Sequence, residues 1–433
     1  MTANPRLSLC MIVRDEEKWI AACLNSVRDV VDEMIVVDTG SVDSTPALAA
    51  ECGAKLFHYA WNGHFAEARN YSIEQASGDW ILWMDADERL DEAHRHAIRD
   101  ILHSDKWMAS LPVLNYYGEE PADPARTNRL LQFRLFRNSP KLRFRHAIHE
   151  QLVRIPEITE NTVAHLPAII HHYGYMVAPV REKQKSQRNL QLLKAAIQRE
   201  QDYDPWLDYH MASEWYRLGE AGKALASLHR SMLRFLQKRM LPPSLFYRLR
   251  YTILIEAGFY KEGAKGIDAA LQIYPDYVDL HLFKGIMLLQ LNEPEEALKV
   301  FHHCLSLGDG NLVHLTSNGA GSFHAWYYIG RCHQLLGQTE KAREAFEKAL
   351  LLFPNYKEAL EQWKRMEVES HGAAVDTRHY SIDFPIERRQ CQPDTGLHCD
   401  AGNGHQPYYR GGSQEGTICA GDSSRRSASA FES

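Results

Sequence analysis

DWILWMDADERL, residues 79–90, joins an apolar run, Trp80 to Met84, to three acids, Asp85, Asp87 and Glu88. Carboxylates favour helix N-termini and cap free N–H groups there, so the acids can serve simply to open a following helix. The spacing also makes a D-x-D pair. Alternate residues leaving a strand put Asp85 and Asp87 on one side, where hard oxygen ligands suit Mg²⁺ or Mn²⁺. A motif this short occurs by chance, so its surroundings decide between the two readings.

Upstream, short apolar runs alternate with amphipathic stretches: LSLCMIVR (7–14), EEKWIAACLNSV (16–27), EMIVVDTG (33–40), STPALAAECG (44–53), AKLFHYA (54–60) and HFAEARNYSIEQASG (64–78). Near-continuous apolar strands separated by helices predict a mostly parallel sheet covered on both faces, over a domain spanning about 1–180. Ligands of such sheets sit beyond the carboxyl ends of the strands. Asp15 follows the first strand, Asp38 the second, and Asp85 and Asp87 the fourth. In VVDTGSVDST (36–45), Asp38 precedes a glycine turn and a helix-opening Asp43-Ser44-Thr45. A carboxylate there can cap the helix or accept hydrogen bonds from a ribose or base. Neither G-x-G-x-x-G nor G-x-x-x-x-G-K-[ST] occurs, which disfavours dinucleotide dehydrogenases and P-loop ATPases.

At 433 residues the chain is long enough for two or three domains. A formal net charge of −7 argues against a dedicated nucleic-acid or polybasic membrane binder. No stretch approaches the ~20 apolar residues of a spanning helix, and no basic leader precedes a long apolar core, so a cytoplasmic location is expected. Eight cysteines lack C-x-x-C or zinc-type spacing; Cys10, Cys23, Cys304 and Cys332 fall in apolar patterns as small hydrophobes.

Beyond a helical linker at 181–204, residues 205–366 repeat. Phe323 to Tyr356 has Trp326, Gly330, Gly337, Ala342, Phe346, Ala349 and Pro354 at tetratricopeptide spacing. Earlier copies begin at Val278 (Gly285, Ala297, Phe301), at Ser244 (Gly258, Pro275, with Gly263 where alanine is usual) and near Pro205 (Gly219, Ala224). About eleven extra residues around GNLVHLTSNGAGS (310–322) read as a loop. Small residues let paired helices approach closely, and stacked pairs form a concave superhelix. From 371 to 433 there is no lysine, tryptophan or methionine, and the composition predicts a disordered tail in which Cys391, Cys399 and Cys419 are incidental.

LSLCMIVRDEEKWI, DEMIVVDTGSVDST, FAEARNYSIEQASGDWILWMDADE and FRLFRNSPKLRFRHAIHEQL, in that order, resemble family 2 glycosyltransferases of the GT-A fold, with its Rossmann-like sheet. The match is to a branch in which tetratricopeptide repeats follow the transferase domain, including sublancin-type peptide S-glycosyltransferases and lipopolysaccharide-core glucosyltransferases. The resemblance implies an α/β domain followed by an all-α repeat domain. It also implies metal-dependent, inverting transfer from a nucleotide diphosphate sugar, a UDP-hexose, to a peptide, protein or saccharide acceptor, with the repeats holding the acceptor. Carried over by motif, Asp38 contacts the nucleoside, and Asp85 and Asp87 meet the ribose and a Mn²⁺ or Mg²⁺ ion. Arg69 lies near the nucleotide, His149-Glu150 is the family's His-Glu, and His172 its later histidine. Asp15 stands where relatives often have Asn, and either residue can serve a nucleotide contact.

Charge supports this chemistry. Arg126, Arg129, Arg134, Arg137, Lys141, Arg143, Arg145 and Arg154 surround a single acid, Glu150. Cations and a divalent ion both stabilise a departing diphosphate. Inversion needs a base, for which Glu150 is the candidate and His149 the rival; His172 can act as a base or complete the metal shell. A salt bridge to Arg143 or Arg145 is the structural alternative for Glu150. Two other functions compete: a non-catalytic repeat scaffold with a degenerate transferase domain, against which the intact acids argue, and a nucleotidyltransferase, which lacks a Gly-rich basic loop after its first strand.

Overall fold

The structure is a computed structural model that describes residues 4–370, except 119, 154, 157, 177–178 and 200–201. Arg154, the expected tail and its three cysteines therefore lie outside the described residues.

The first half is built on one twisted sheet. Strands β1 (Leu7–Val13), β2 (Glu33–Asp38), β3 (Lys55–His58) and β4 (Trp80–Trp83) run parallel in the order β3-β2-β1-β4. Helices α1 (Ile20–Val27), α2 (Thr45–Glu51) and α3 (Phe65–Glu74) connect them. β1 and β2 are buried along almost their whole length, which is why both read as unbroken apolar runs. The faces are covered separately. Leu9, Leu82 and Met84 pack with Cys23 and Leu24 of α1 and Ala49 of α2, whereas Cys10, Ile35 and Ile81 pack with Ala66 and Ile73 of α3.

Beyond β4 the sheet becomes mixed. It continues through β5 (Glu88–Leu90), β6 (Met108–Tyr117), β7 (Thr127–Arg137) and β11 (Ile170–Tyr175) in the order β4-β7-β6-β11-β5, with β10 (Val163–His165) also on β6. A short helix, α4 (His96–Ile101), follows β5, and β8 (Phe144–Arg145) pairs with β9 (Gln151–Leu152) as a separate ribbon against α3. β7 is antiparallel to both β4 and β6, so the parallel pattern read from the sequence holds for the β1–β4 half, and the remainder is mixed.

Helix α5 (Pro179–Arg199) leads into four helix pairs: α6 (Pro205–Arg217) with α7 (Ala221–Gln237), α8 (Ser244–Glu256) with α9 (Tyr260–Ile273), α10 (Val278–Gln290) with α11 (Pro294–Leu307), and α12 (Phe323–Leu335) with α13 (Thr339–Leu352). A last helix, α14 (Lys357–Ser370), packs on α13. Close approach explains the glycines: a Cβ on Gly285 would sit 2.5 Å from the Phe301 ring, and one on Gly330 2.5 Å from Phe346. Gly263 replaces the usual alanine because the Met287 sulfur of the next repeat occupies that space.

The insertion at 310–322 is a loop, as expected, that carries one short strand. Its Thr316–Ser317 is a strand, β12, antiparallel to β7 opposite Arg129 and Asn128. β4 covers only the 135–137 end of β7 on that side, so the backbone of 128–131 would otherwise be an unpaired edge. Leu312 O accepts the N–H of Leu131 at 3.2 Å, and Thr127 O accepts that of Asn318 at 2.9 Å. Behind the strand, Arg248 of α8 donates to Asn128 Oδ1 at 2.7 Å and to the buried Asp279 of α10 at 3.0 Å, while Asp279 accepts the N–H of Ser317 at 3.0 Å. Arg248 of α8 and Asp279 of α10 thus buckle the repeats to the sheet domain through the inserted strand. Ala125 of that domain belongs to the repeats' own hydrophobic core. Four buried cysteines, Cys10, Cys23, Cys304 and Cys332, are free thiols.

Candidate active site

Register explains how separated residues converge. Val13 pairs with Asp38, Asp38 with His58, and Cys10 with Trp83, so Asp15, Asp38 and Asp85 all emerge at one carboxyl edge. Met84 and Ala86 turn into the core, which leaves Asp85 and Asp87 on the opposite side, as strand alternation requires. The helix-opening alternative fails, because Glu88 begins β5.

Asp38 is buried and accepts backbone N–H groups of Gly40 at 3.3 Å and Ser41 at 3.0 Å, with His58 Nδ1 3.5 Å from Oδ2. Asp15, at φ 56°, accepts the N–H of Val42 at 2.8 Å, and its own N–H donates to Ser41 Oγ at 3.0 Å. The acids after β1 and β2 therefore shape a single loop.

Arg69, on α3 and 7% exposed, is the hub. Its Nη2 donates to Asp85 Oδ1 at 2.8 Å and its Nε to Glu150 Oε1 at 2.5 Å, while its guanidinium lies 4.6 Å from the Trp83 ring centroid. Glu150 pairs with this residue rather than with Arg143 or Arg145, whose expected bridge does not form. Burial opposes the charge of Arg69, but Asp85 and Glu150 outweigh it and hold the guanidinium protonated. Burial would likewise raise the Asp85 carboxyl; Arg69 and then Arg134 hold it well below the usual range.

Asp87 and His172 form a second pair, Oδ1 to Nε2 at 3.5 Å. The antiparallel register of β11 on β5 sets His172 opposite Glu88 and so beside the D-x-D turn. Nδ1 of His172 is 2.7 Å from Asn115 Oδ1, a contact that directs Nε2 at the carboxylate. Burial disfavours both charges, yet each supports the other: Asp87 is lowered mainly by His172, and His172 raised mainly by Asp87. Among the described residues no three His, Cys, Asp or Glu side chains form a ready cation cage.

His149 is directed elsewhere. At φ 54° its ring stacks on His210 of α6, centroids 3.5 Å apart and planes 7° off parallel. Burial pushes it down to about 4, with a small opposing effect of Glu214.

Four participants were not legible. Glu88, fully buried, accepts the N–H of Asp85 at 2.9 Å and Arg134 Nη2 at 2.5 Å, and Arg134 covers the Trp83 ring at 3.8 Å. Asn115 orients His172, and His210 comes from the repeats. The available signal was the third acid of the motif, set against a buried arginine in FRLFR.

A Rossmann-like sheet with a D-x-D turn and a second acid at its carboxyl edge is a GT-A-like architecture. Residues 8–151 match the family model for glycosyl transferase family 2, and residues 323–356 that for a tetratricopeptide repeat. The chain is 35% identical over 280 residues to a TPR repeat-containing protein of Synechococcus elongatus, covering 63% of this chain and 66% of that one. It is 27% identical over 293 residues to the prophage-derived glycosyltransferase SunS of Bacillus subtilis, covering 66% of this chain and 67% of that one. Over 157 residues it is 31% identical to the lipopolysaccharide core biosynthesis glycosyltransferase LpsC of Rhizobium meliloti, covering 34% of this chain and 57% of that one. The first of these relatives is thus matched over just under two thirds of its length.

Proposed function

We propose that this protein transfers a hexose, with inversion, from a UDP-sugar to a peptide, protein or saccharide acceptor, with Mn²⁺ or Mg²⁺ at the D-x-D turn. The observation that carries the reading is the Arg69 bridge, which joins a strand-end aspartate of the donor side to Glu150.

Asp38 and Asp15 present carboxylates where a nucleoside would lie. Asp87 and His172 suit a divalent ion. The donor set is a carboxylate oxygen and an imidazole nitrogen whose ring partner is already hydrogen bonded, an arrangement that fixes a metal-binding tautomer. Gly174 leaves the space open, because a Cβ there would collide with Asp87 Oδ2 and stand 2.7 Å from His172 Nε2. Asp85 can complete the set, with the remaining positions left to diphosphate and water, as is usual for Mg²⁺. When bound, the ion supplies Lewis-acid stabilisation of the leaving diphosphate.

Glu150 takes the acceptor's proton as the nucleophile attacks the sugar face opposite the diphosphate. Arg69 orients its carboxylate through the Nε hydrogen bond. His149, held neutral in its stack, lines the seam with α6, so an acceptor can lie between the transferase domain and the first repeat. With His210 of α6 and Arg248 of α8 turned to the sheet domain, the repeats are better suited to border the acceptor than to enclose it in their groove. No helix of the described residues is long and apolar enough to cross a membrane, and free buried thiols suit a reducing cytoplasm.

Calorimetry with UDP and Mn²⁺ tests the assignment. Wild type should bind UDP more tightly with the ion than without it, and Asp87→Asn or Gly174→Ala should lose that gain. A gain preserved in both variants would remove the ion from this turn.

A further inference from the structure

The turn that carries Glu150 is strained. In HAIHE (146–150), His146 at φ 76° and His149 at φ 54° both adopt the left-handed region, which is uncommon for residues with a Cβ. Two such residues persist in one turn only where the surrounding packing holds them. Three helices do so here. The N–H of Phe65, at the start of α3, donates to Ala147 O at 2.8 Å, and Ile148 is buried with Leu190 and Leu193 of α5 and Met211 of α6. His149 then stacks on His210 of α6.

That stack continues into the first repeat. Trp206 lies 5.8 Å from the His210 ring and 26° off parallel, and it meets Phe235 of α7 edge-on at 5.8 Å. Nε2 of His149 is buried and makes no hydrogen bond among the described residues, so on that side the imidazole is held by packing and not by a polar tether.

α6 docks at a second point, two turns further along its axis and so about 10 Å away. Arg217 puts its guanidinium carbon 5.5 Å from the Tyr175 ring centroid, and Tyr175 meets the ring of His172 at 5.0 Å. The arginine is itself fixed: Nη1 donates at 2.9 Å to Oε1 of the buried Glu214, which also accepts Nδ2 of Asn189 on α5 at 2.9 Å. One helix thus spans the site, from the Glu150 turn through His210 to β11 through Arg217. Arg69 closes the circuit from Glu150 back to Asp85.

We propose that α6 of the first repeat positions the base: the His210 stack holds the strained HAIHE turn, and with it Glu150, against Arg69. His210 touches no reacting atom and acts through His149. This rests on the reading of Glu150 as the base. It makes the first repeat part of the transfer apparatus as well as a border for the acceptor.

The test measures hydrolysis of the preferred UDP-hexose by full-chain variants with Mn²⁺, beside calorimetry with UDP. A misplacement of about 1 Å can cost roughly a hundredfold in rate. His210→Ala should therefore lower kcat roughly ten- to a hundredfold, with donor KM and UDP affinity unchanged. His210→Phe, which keeps a stacking ring, should restore most of the rate. His210→Leu fills the space without a ring plane and carries the same expectation as alanine should the alanine variant unfold. In a Glu150→Gln background, His210→Ala should cost nothing more, because effects that run through one group do not add. Wild-type kcat in His210→Ala or His210→Leu overturns the positioning role. So does a parallel fall in UDP affinity, or an equal further loss in the Glu150→Gln background, since either marks general damage. Near-normal hydrolysis by Glu150→Gln alone overturns instead the base reading on which the proposal rests.

Discussion

The Oε1 atom of Glu150 lies 2.5 Å from Nε of Arg69, and the same guanidinium reaches Asp85 at 2.8 Å. A residue of α3 thereby ties the strand-end turn to the HAIHE segment, 81 positions from Arg69 in the chain. With Arg69 replaced by Met, two acids would lose their counter-charge. Breaking a buried pair by removing one partner costs about 3–5 kcal/mol. Arg69→Met should fall at the low end of that range in urea unfolding, because Asp85 is partly open to solvent, and should abolish donor hydrolysis.

Glu150→Gln tests the base separately from the fold. Glutamine keeps an acceptor for Arg69 Nε but cannot take a proton, and loss of a general base costs roughly two to four orders of magnitude. UDP binding should persist while transfer falls by that amount. Near-normal transfer would move the role to another group.

The His149–His210 stack gives the fold an acid limit. An unfolded histidine titrates near 6.5, whereas burial holds His149 down to about 4. The unfolded chain therefore binds a proton as pH falls below about 6.5 while the folded chain does not, so this stabilisation is intact above 6.5 and lost on the way to 4. The loss through this group is at most about 3 kcal/mol. His149→Phe should keep the stack and reduce the difference between unfolding at pH 7 and at pH 5. An unchanged difference would mean that His149 is not buried against α6.

The buckle between the domains rests on Arg248 and Asp279. Asp279 is fully buried; burial raises its carboxyl and Arg248 opposes the rise. Arg248→Met should cost about 3–5 kcal/mol, as for other buried pairs. It should also release β12 from β7, seen as faster hydrogen exchange at Leu131 and Asn318. Exchange that stays slow would show that the backbone ladder alone holds the insertion.

Sequence periodicity revealed the parallel half of the sheet and the repeats because both impose regular spacing over many residues. The strand-end acids followed from that half, since their position depends only on where each strand stops. The strand inside the inserted loop was not legible for the opposite reason: a two-residue strand among Gly, Asn and Ser has no period, and its pairing partner lies nearly 190 residues earlier. Arg134 and Glu88 were obscured because charge in a sequence reads as surface, whereas here each charge buries the other. The destination of His149 was invisible because its partner belongs to a different domain.

Donor hydrolysis by the full chain, measured over a panel of nucleotide diphosphate sugars with Mn²⁺ and then with EDTA, tests the central claim most directly. The account requires one UDP-hexose to be cleaved well above the others, with activity lost in EDTA, restored by added Mn²⁺, and absent in Asp87→Asn. A folded protein that cleaves none of the donors, or one that keeps full activity in EDTA, would contradict it.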